Sequence, residues 1–173
     1  MKSIPAALSR CSLALSLGLV AFGANAFELR GFRGVAWGQG AEALGEAVVA
    51  HADGDLACYQ RESESMLFGD SALNDVRYCF QHNRLVMVAL DAAVDPKALA
   101  LQFQRTYGRP DARKGQVASW GRRSTGARAE LVAQGASAAR LTLYANPIEP
   151  AVVQRLHKLA SSDPAPRVVA SAD

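Results

Sequence analysis

The sequence predicts an α+β fold, an antiparallel sheet of about five to six strands with helices on one face, built from two αβββ units. Several short segments alternate apolar with polar residues, which is typical of half-buried strands. A segment with helical spacing precedes three such strands in each half of the chain. No long crossover separates the strands within a half, which favours antiparallel pairing.

The first residues have the pattern of a secretory signal peptide. Lys2 and Arg10 form a basic start, 11–23 is apolar, and Ala24-Asn25-Ala26 is a small-x-small cleavage site. The apolar run is shorter than the roughly 20 residues of a membrane span, which argues against the alternative of a transmembrane anchor. We therefore predict cleavage after Ala26 and a periplasmic or secreted protein.

The chain after the cleavage site has the size of one ordinary domain. We predict a single α+β domain over 27–160 and a disordered tail over 161–173, which is rich in Pro, Ala and Ser. Without the two basic residues of the signal peptide, the 19 basic and 16 acidic side chains of the full sequence nearly balance. Nothing in this charge demands a nucleic-acid partner, and no later apolar run has membrane-spanning length.

Two cysteines, Cys58 and Cys79, remain in the mature chain. In an oxidising compartment such a pair is more often a disulfide than a metal site or a catalytic thiol. There is no CxxC motif and no histidine at a ligand-like spacing, so the alternative of a nucleophilic or metal-binding cysteine has little support. The sequence predicts a disulfide between them.

The first half of the mature chain begins with an extended segment over 27–35. Helical spacing of apolar residues predicts a helix over 40–50, although Gly45 weakens it. A strand over 55–61 follows. A polar link over 62–65 then leads to the short apolar run 66–68.

A β-hairpin is the clearest strand signal of this half. Val76, Tyr78 and Phe80 alternate on one face, and the partner strand 85–90 is apolar on both faces, so it should be central and covered by helix on at least one side. The turn contains Asn83, which tolerates the positive φ that a tight hairpin needs.

The second half opens with the strongest helix signal of the chain. Asp95 is suited to the N-cap and Pro96 to the first helical position, apolar residues recur up to Tyr107, and Gly108 ends the run. Turn residues separate the strands and the short C-terminal helix predicted after it: strands over 116–122, 127–134 and 138–144, and a helix over 151–160.

Short motifs are spread over most of residues 31–145: Gly31-Phe32-Arg33-Gly34-Val35-Ala36-Trp37-Gly38, Leu67-Phe68-Gly69-Asp70, Val76-Arg77-Tyr78-Cys79-Phe80, Arg84-Leu85 and Tyr107-Gly108-Arg109-Pro110. In these the chain resembles a family of small secreted bacterial proteins with an FRGxxWG…YxF…YG pattern and no established activity. The resemblance implies a compartment and a fold, and nothing catalytic. The repeated αβββ order also resembles, in fold alone, the tandem units of the β-lactamase inhibitor protein.

The three histidines, His51, His82 and His157, are predicted in a turn after a helix, in the hairpin turn and in the C-terminal helix. They show no HxH or HxxxH spacing, so solvated histidines are a better interpretation than a metal site. There is also no GxSxG context for a serine nucleophile. We predict no catalytic, metal or cofactor residue.

Two carboxylate pairs are candidate sites. Glu62 and Glu64 would point the same way on a strand, but the flanking serines favour a solvated link. Asp53 and Asp55 flank Gly54 in a way that partly resembles a calcium loop, yet the later glutamate of that motif is missing.

The most suggestive feature is a cluster of seven basic residues with only Asp111 and Glu130 between or beside them: Arg105, Arg109, Arg113, Lys114, Arg122, Arg123 and Arg128. Such a patch suits an acidic protein, lipopolysaccharide or anionic lipid headgroups. The alternative is an ordinary solvated surface. Trp37 and Trp120 are predicted to anchor the core rather than to stack on a ligand.

Three functional hypotheses follow. The first is a non-enzymatic binding protein of the periplasm or exterior that engages a protein or an anionic envelope component through an exposed sheet face and its arginine-rich edge. The second is a small envelope hydrolase with an unrecognised site, and the third is an accessory subunit of an envelope assembly. A deep pocket joining a histidine to a carboxylate would favour the enzyme.

Overall fold

A computed structural model describes residues 28–162. The predicted signal peptide and nearly all of the predicted tail therefore lie outside the described residues. The strands are β1 (Gly31–Phe32), β2 (Val35–Ala36), β3 (Ala47–Asp53), β4 (Leu56–Arg61), β5 (Leu67–Phe68), β6 (Ser71–Ala72), β7 (Asp75–Gln81), β8 (Arg84–Ala92), β9 (Ala112–Lys114), β10 (Val117–Trp120), β11 (Ala127–Ala133) and β12 (Ala139–Ala145). The helices are α1 (Pro96–Tyr107), α2 (Pro150–Ser161) and one 3-10 turn (Ala41–Leu44).

Eight of these strands form one antiparallel sheet in the order β3-β4-β7-β8-β12-β11-β10-β9. The first four strands along the chain form one meander and the last four form another, and the two meanders join where β8 pairs with β12. The mixed helix and antiparallel-sheet class agrees with the prediction, but the sheet exceeds the predicted five to six strands because β3 and β9 were not predicted.

The predicted helix over 40–50 is wrong. A single 3-10 turn ends at Gly45, whose φ of 70° lies in the left-handed region and stops helical winding. The two adjacent β-branched residues Val48 and Val49 then continue as the edge strand β3 against β4. Because a strand replaces the first helix, the chain consists of two four-stranded meanders, each followed by a helix, and not of two αβββ units.

The two helices lie on opposite faces of the sheet, which corrects the prediction of helices on one face. Leu99 and Phe103 of α1 pack in the same core as Val76, Tyr78 and other residues of one face. On the other face α2 covers Cys79 and Met87. We call these the α1 face and the α2 face. The reason is the sequence of the central strand β8, whose apolar residues on both sides each require cover.

Helix α2 lies mainly over the first meander, where it contacts β3, β4 and β7, and it also reaches β12, where His157 contacts Tyr144. On the next strand, β11, Val132 is 37% exposed on this face. The α2 face around Val132 is the part of the predicted exposed sheet face that the structure retains.

The predicted hairpin is confirmed. β7 and β8 pair through a turn in which His82 and Asn83 have φ of 48° and 55°. The Asn83 side-chain oxygen also accepts the backbone N–H of Ala41 at 2.9 Å, which ties the turn to the 3-10 helix. Helix α1 is confirmed as well, and Asp95 caps it by accepting the backbone N–H of Lys97 at 2.9 Å.

An aromatic cluster joins α1 to the sheet. The ring of Phe103 lies 4.8 Å from that of Trp120 and 4.5 Å from that of Tyr107, measured between centroids. Trp120 is 1% exposed, and its indole N–H donates to the Gly108 carbonyl oxygen at 2.8 Å. Trp37 packs partly buried against the same core. Both tryptophans therefore anchor the core, as predicted.

Cys58 of β4 lies directly opposite Cys79 of β7 in the strand register, and their sulfur atoms are 2.04 Å apart, the length of a disulfide bond. Both residues are fully buried under α2. Within residues 28–162, neither helix has the length and apolarity that a membrane crossing requires.

The predicted solvated link over 62–65 is wrong for one residue. The side chain of Glu64 is only 3% exposed, forms an ion pair with Arg33, and accepts the Tyr78 hydroxyl at 2.7 Å. Arg33 sits at φ 47° in the FRG motif and also donates to the Leu67 carbonyl oxygen. Burial, followed by the bond to Glu64, raises the pKa of Tyr78. The motif thus joins the N-terminal segment to the chain before β5. The serines next to Glu64 had indicated a solvated link and gave no sign of this buried ion pair.

Candidate anion-binding site

The seven predicted basic residues do not form one patch. Arg113 and Lys114 are in β9, at the end of the β9–β10 hairpin that carries Gly115. Arg122 and Arg123 follow β10 at its other end. The length of β10 (Val117–Trp120) lies between these pairs, so one compact ligand does not span both.

The remaining three basic residues are also apart from one another. Arg105 is on α1, where its guanidinium lies 3.9 Å from Asp70. Arg109 is exposed just after the helix. Arg128 is in β11, and its neighbour in the register of β12 is Tyr144. Arg122 and Arg128 line one depression together, and Arg122 and Arg123 line another with Asp111.

Arg128 is held in an unusual environment. The carbon at the centre of its guanidinium lies 4.7 Å from the centroid of the Tyr144 ring, a cation–π contact. Its Nε is buried and has no hydrogen-bond partner. No ion pair to Arg128 is formed within residues 28–162. The ring therefore orients a cation that has no acidic partner in this part of the chain.

Two other arginines of the same face are paired. Arg140 donates to both carboxylate oxygens of Asp91 at 2.7 Å, and this bond raises its pKa. The Nε of Arg77 donates to Asp75 at 2.6 Å, although its Nη1 has no partner. Unlike these two, Arg128 forms no ion pair within residues 28–162 and is available to bind an external anion.

The orientation of Tyr144 depends on α2. Its hydroxyl lies 2.6 Å from Nε2 of His157. Burial raises the pKa of Tyr144, and burial followed by the charge of Arg140 lowers the pKa of His157. The tyrosine thus stays protonated, and its hydroxyl shares this hydrogen bond with a neutral imidazole. Helix α2 in this way fixes the ring on which Arg128 rests.

Side-chain bonds hold the loop between β10 and β11 in place. The Ser124 hydroxyl accepts the backbone N–H groups of Gly126 and Ala127 at 3.2 and 3.3 Å. Asn146 donates to the Ser124 carbonyl oxygen at 3.0 Å. The carboxylate of Asp111 accepts the backbone N–H of Arg122 at 3.0 Å. These contacts bring the loop against β11 before any ligand binds.

An open depression of about 430 Å³ results between this loop and the segment after β12. It is lined by Arg122, Ser124, Thr125, Arg128, Asn146, Pro147 and Ile148. The lining offers two guanidinium groups, two hydroxyls and one amide, and includes neither a carboxylate nor a histidine. Such a donor set binds carboxylate or phosphate oxygens, since the planar guanidinium matches both. It offers no general base for hydrolysis.

The histidines are dispersed. His51 lies in β3, so the predicted turn after a helix is wrong for it. His82 is in the hairpin turn and His157 in α2, as predicted. Within residues 28–162, no group of three or more His, Cys, Asp or Glu side chains is arranged to hold a metal ion.

The aspartates that partly resembled a calcium loop are engaged by α2. Arg155 donates to Asp53 at 2.9 Å and lies 3.6 Å from Asp55. A hydrogen bond from Gln81 is the largest cause of the lowered pKa of Asp55. A protein cation therefore occupies the position between the two carboxylates.

The His157 contact predicts pH-dependent stability. Because the folded protein lowers the pKa of His157 below its ordinary 6.5, the unfolded chain binds a proton more readily in that range. The contribution of His157 to the free energy of unfolding is therefore fully present above pH 6.5 and decreases as the pH falls below that value. We expect a His157→Gln variant, which keeps an acceptor for Tyr144, to lose less thermal stability between pH 7.5 and 5.5 than the unchanged protein. An equal loss in both proteins would contradict this.

The sequence identified the two arginines of the depression but not the side chains that make one of them available. Tyr144, His157 and Asn146 come from β12 onward, and no local pattern relates them to Arg128. The sequence contains one related signal. The spacing of two residues between Arg128 and Glu130 indicates that both lie on the same face of β11. No family model, curated protein or solved structure matches the chain.

Proposed function

We propose that the protein is a non-enzymatic binding protein of the periplasm or exterior that holds an anionic group of its partner between Arg122 and Arg128. The observation that carries this proposal is the buried, unpaired Nε of Arg128, held over the Tyr144 ring. A buried donor without an acceptor costs about 1–3 kcal/mol, and no ion pair of Arg128 within residues 28–162 offsets that cost.

The surroundings support an anionic group over a cationic one. Arg122 and Arg123 are exposed beside the depression, and the nearby carboxylate of Asp111 already accepts the backbone N–H of Arg122. The polar donors of Ser124 and Asn146 stand on the same side. Carboxylates of an acidic protein and phosphates of lipid headgroups or lipopolysaccharide present the same oxygen geometry, so the geometry supports the oxyanion class and leaves its carrier to experiment.

Removing the Arg128 charge tests the proposal. We expect Arg128→Gln to weaken binding to anionic vesicles of phosphatidylglycerol, or to purified lipopolysaccharide, at least about ten-fold, since a charge-assisted hydrogen bond contributes about 1.5–3 kcal/mol. Co-sedimentation at two salt concentrations provides the measurement, and the affinity of the unchanged protein should fall as salt rises.

The matched control is Arg105→Gln, which removes the same charge from exposed α1, where the nearest acidic oxygen is 3.9 Å away. If both variants weaken binding equally, general surface charge and not the depression is responsible. A crosslinking pull-down from the envelope, with Arg122, Arg123 and Arg128 all changed to Glu, separates a protein partner from a lipid one. Unchanged captured proteins together with unchanged vesicle binding would overturn the proposal.

A further inference from the structure

A second cavity lies on the opposite side of the sheet from Arg128. It has a volume of about 490 Å³ and lies between the first turn of α1 and the β9–β10 hairpin. Its floor includes Ala100, Ala118 and Leu131, which belong to the core of the α1 face. Leu131 points to this face, whereas Arg128 of the same strand points to the other. The cavity is therefore separate from the depression described above.

The walls continue the apolar floor. Pro96, Val117, Ala133 and Ala136 line them. The volume lies within the roughly 300–1,000 Å³ range of small-molecule sites, and such sites typically combine an apolar lining with a few convergent polar groups. The size and the lining of the cavity suit the apolar part of a small molecule, and the cavity is too small for the surface of a protein partner.

The charges at this cavity favour an anion. Lys97 and Arg113 both line it, and within residues 28–162 neither side chain has an ion-pair partner. The one acidic lining residue, Asp95, caps α1 by accepting the Lys97 backbone N–H. Two cations thus stand over an apolar floor with a single carboxylate that is already hydrogen-bonded.

We propose that this cavity binds a small amphipathic monoanion, an unbranched alkyl chain with one carboxylate head. The chain would lie on the floor of Ala118 and Leu131, and the head would be held by Lys97 and Arg113. The charge complementarity selects an anionic head, and the apolar floor selects a chain over a free anion such as acetate. This ligand class is independent of the oxyanion site at Arg128.

Isothermal titration of the full chain with decanoate tests the proposal. We expect decanoate to bind, with acetate and decanol each at least ten-fold weaker because each lacks one half of the ligand. Octanoate should bind about fifteen-fold more weakly than decanoate, since it lacks two methylenes and each buried methylene changes affinity on the order of four-fold. Equal affinities for decanoate and octanoate would overturn burial of the chain.

Two sets of variants locate the site. Lys97→Gln together with Arg113→Gln should weaken decanoate binding at least ten-fold and leave decanol unchanged. Ala133→Leu, which adds volume at a half-buried wall position, should weaken both. Lys158→Gln on α2 is the charge control and should have no effect.

The outcomes are distinguishable from those of the anion-binding proposal. Arg128→Gln should leave decanoate affinity unchanged, and the Lys97 and Arg113 changes should leave the Arg128-dependent part of vesicle binding unchanged. Absence of decanoate binding at millimolar concentration would overturn the inference, as would binding that the Lys97 and Arg113 changes do not alter. Binding of phosphatidylglycerol vesicles through Lys97 and Arg113 without binding of free decanoate would also overturn it, because it would identify a lipid surface as the occupant.

Discussion

Replacing Trp120 by Ala should lower the free energy of unfolding by about 3–5 kcal/mol, the range for large aromatic residues removed from a core. Trp120 is 1% exposed and packs edge-on against Phe103 at 4.8 Å. Its loss leaves a cavity between α1 and β10 and leaves the Gly108 carbonyl oxygen without the indole donor. Urea unfolding followed by circular dichroism provides the measurement.

Trp120→Phe separates packing from hydrogen bonding. The phenyl ring keeps most of the contact with Phe103, so this variant should lose only about 1–3 kcal/mol, from the missing donor and the smaller ring. A loss below about 1 kcal/mol in Trp120→Ala would show that α1 does not depend on this ring. Because Gly121 and Arg122 directly follow it, the folded Ala variant should also bind anionic vesicles more weakly.

Removing the disulfide should have the second large effect. With 21 residues of separation between Cys58 and Cys79, the chain-entropy model gives a loss of about 3 kcal/mol when both become Ala. For a domain of this size that corresponds to a decrease in melting temperature on the order of 10 °C. The unfolded chain without the crosslink has more conformations, and this raises the entropy lost on folding.

The matched control is the unchanged protein after reduction and thiol blocking in denaturant. It should refold with a stability close to or below that of the double Ala variant, because the blocked thiols also have to fit beneath α2. Thiol-blocking mass measurement of the protein purified without reductant provides an independent check. Two free thiols there would contradict the disulfide, and a double Ala variant as stable as the unchanged protein would contradict its stabilising role.

Elements with strong local signals were predicted well. The cap at Asp95 and the Gly108 stop define α1, and Asn83 marks the hairpin turn. These signals are reliable because caps and turns are satisfied within a few residues. The predicted helix over 40–50 lacked such local signals. Its apolar spacing was short, Gly45 interrupted it, and pairing with β4 favoured a strand.

The site depended far less on local signals. The basic residues of the second half are close in sequence, yet strands β9 to β11 carry them to different ends and faces of the sheet. A run of like charges in one segment therefore does not show that these side chains lie together on the surface of the folded protein. The feature that distinguishes Arg128 comes from Tyr144 on the next strand and His157 on α2, which sequence spacing alone does not connect to it.

By itself the sequence determined the α+β class, the main hairpin, helix α1 and the two cysteines available for a disulfide, and it predicts a secreted chain. The tertiary structure alone decided that α1 and α2 cover opposite faces, that Cys58 faces Cys79, and that one arginine of the basic cluster stays unpaired over an aromatic ring. The reason is physical. Local backbone preferences act over a few residues, whereas the face on which a helix packs depends on which apolar surfaces of the whole sheet still need cover.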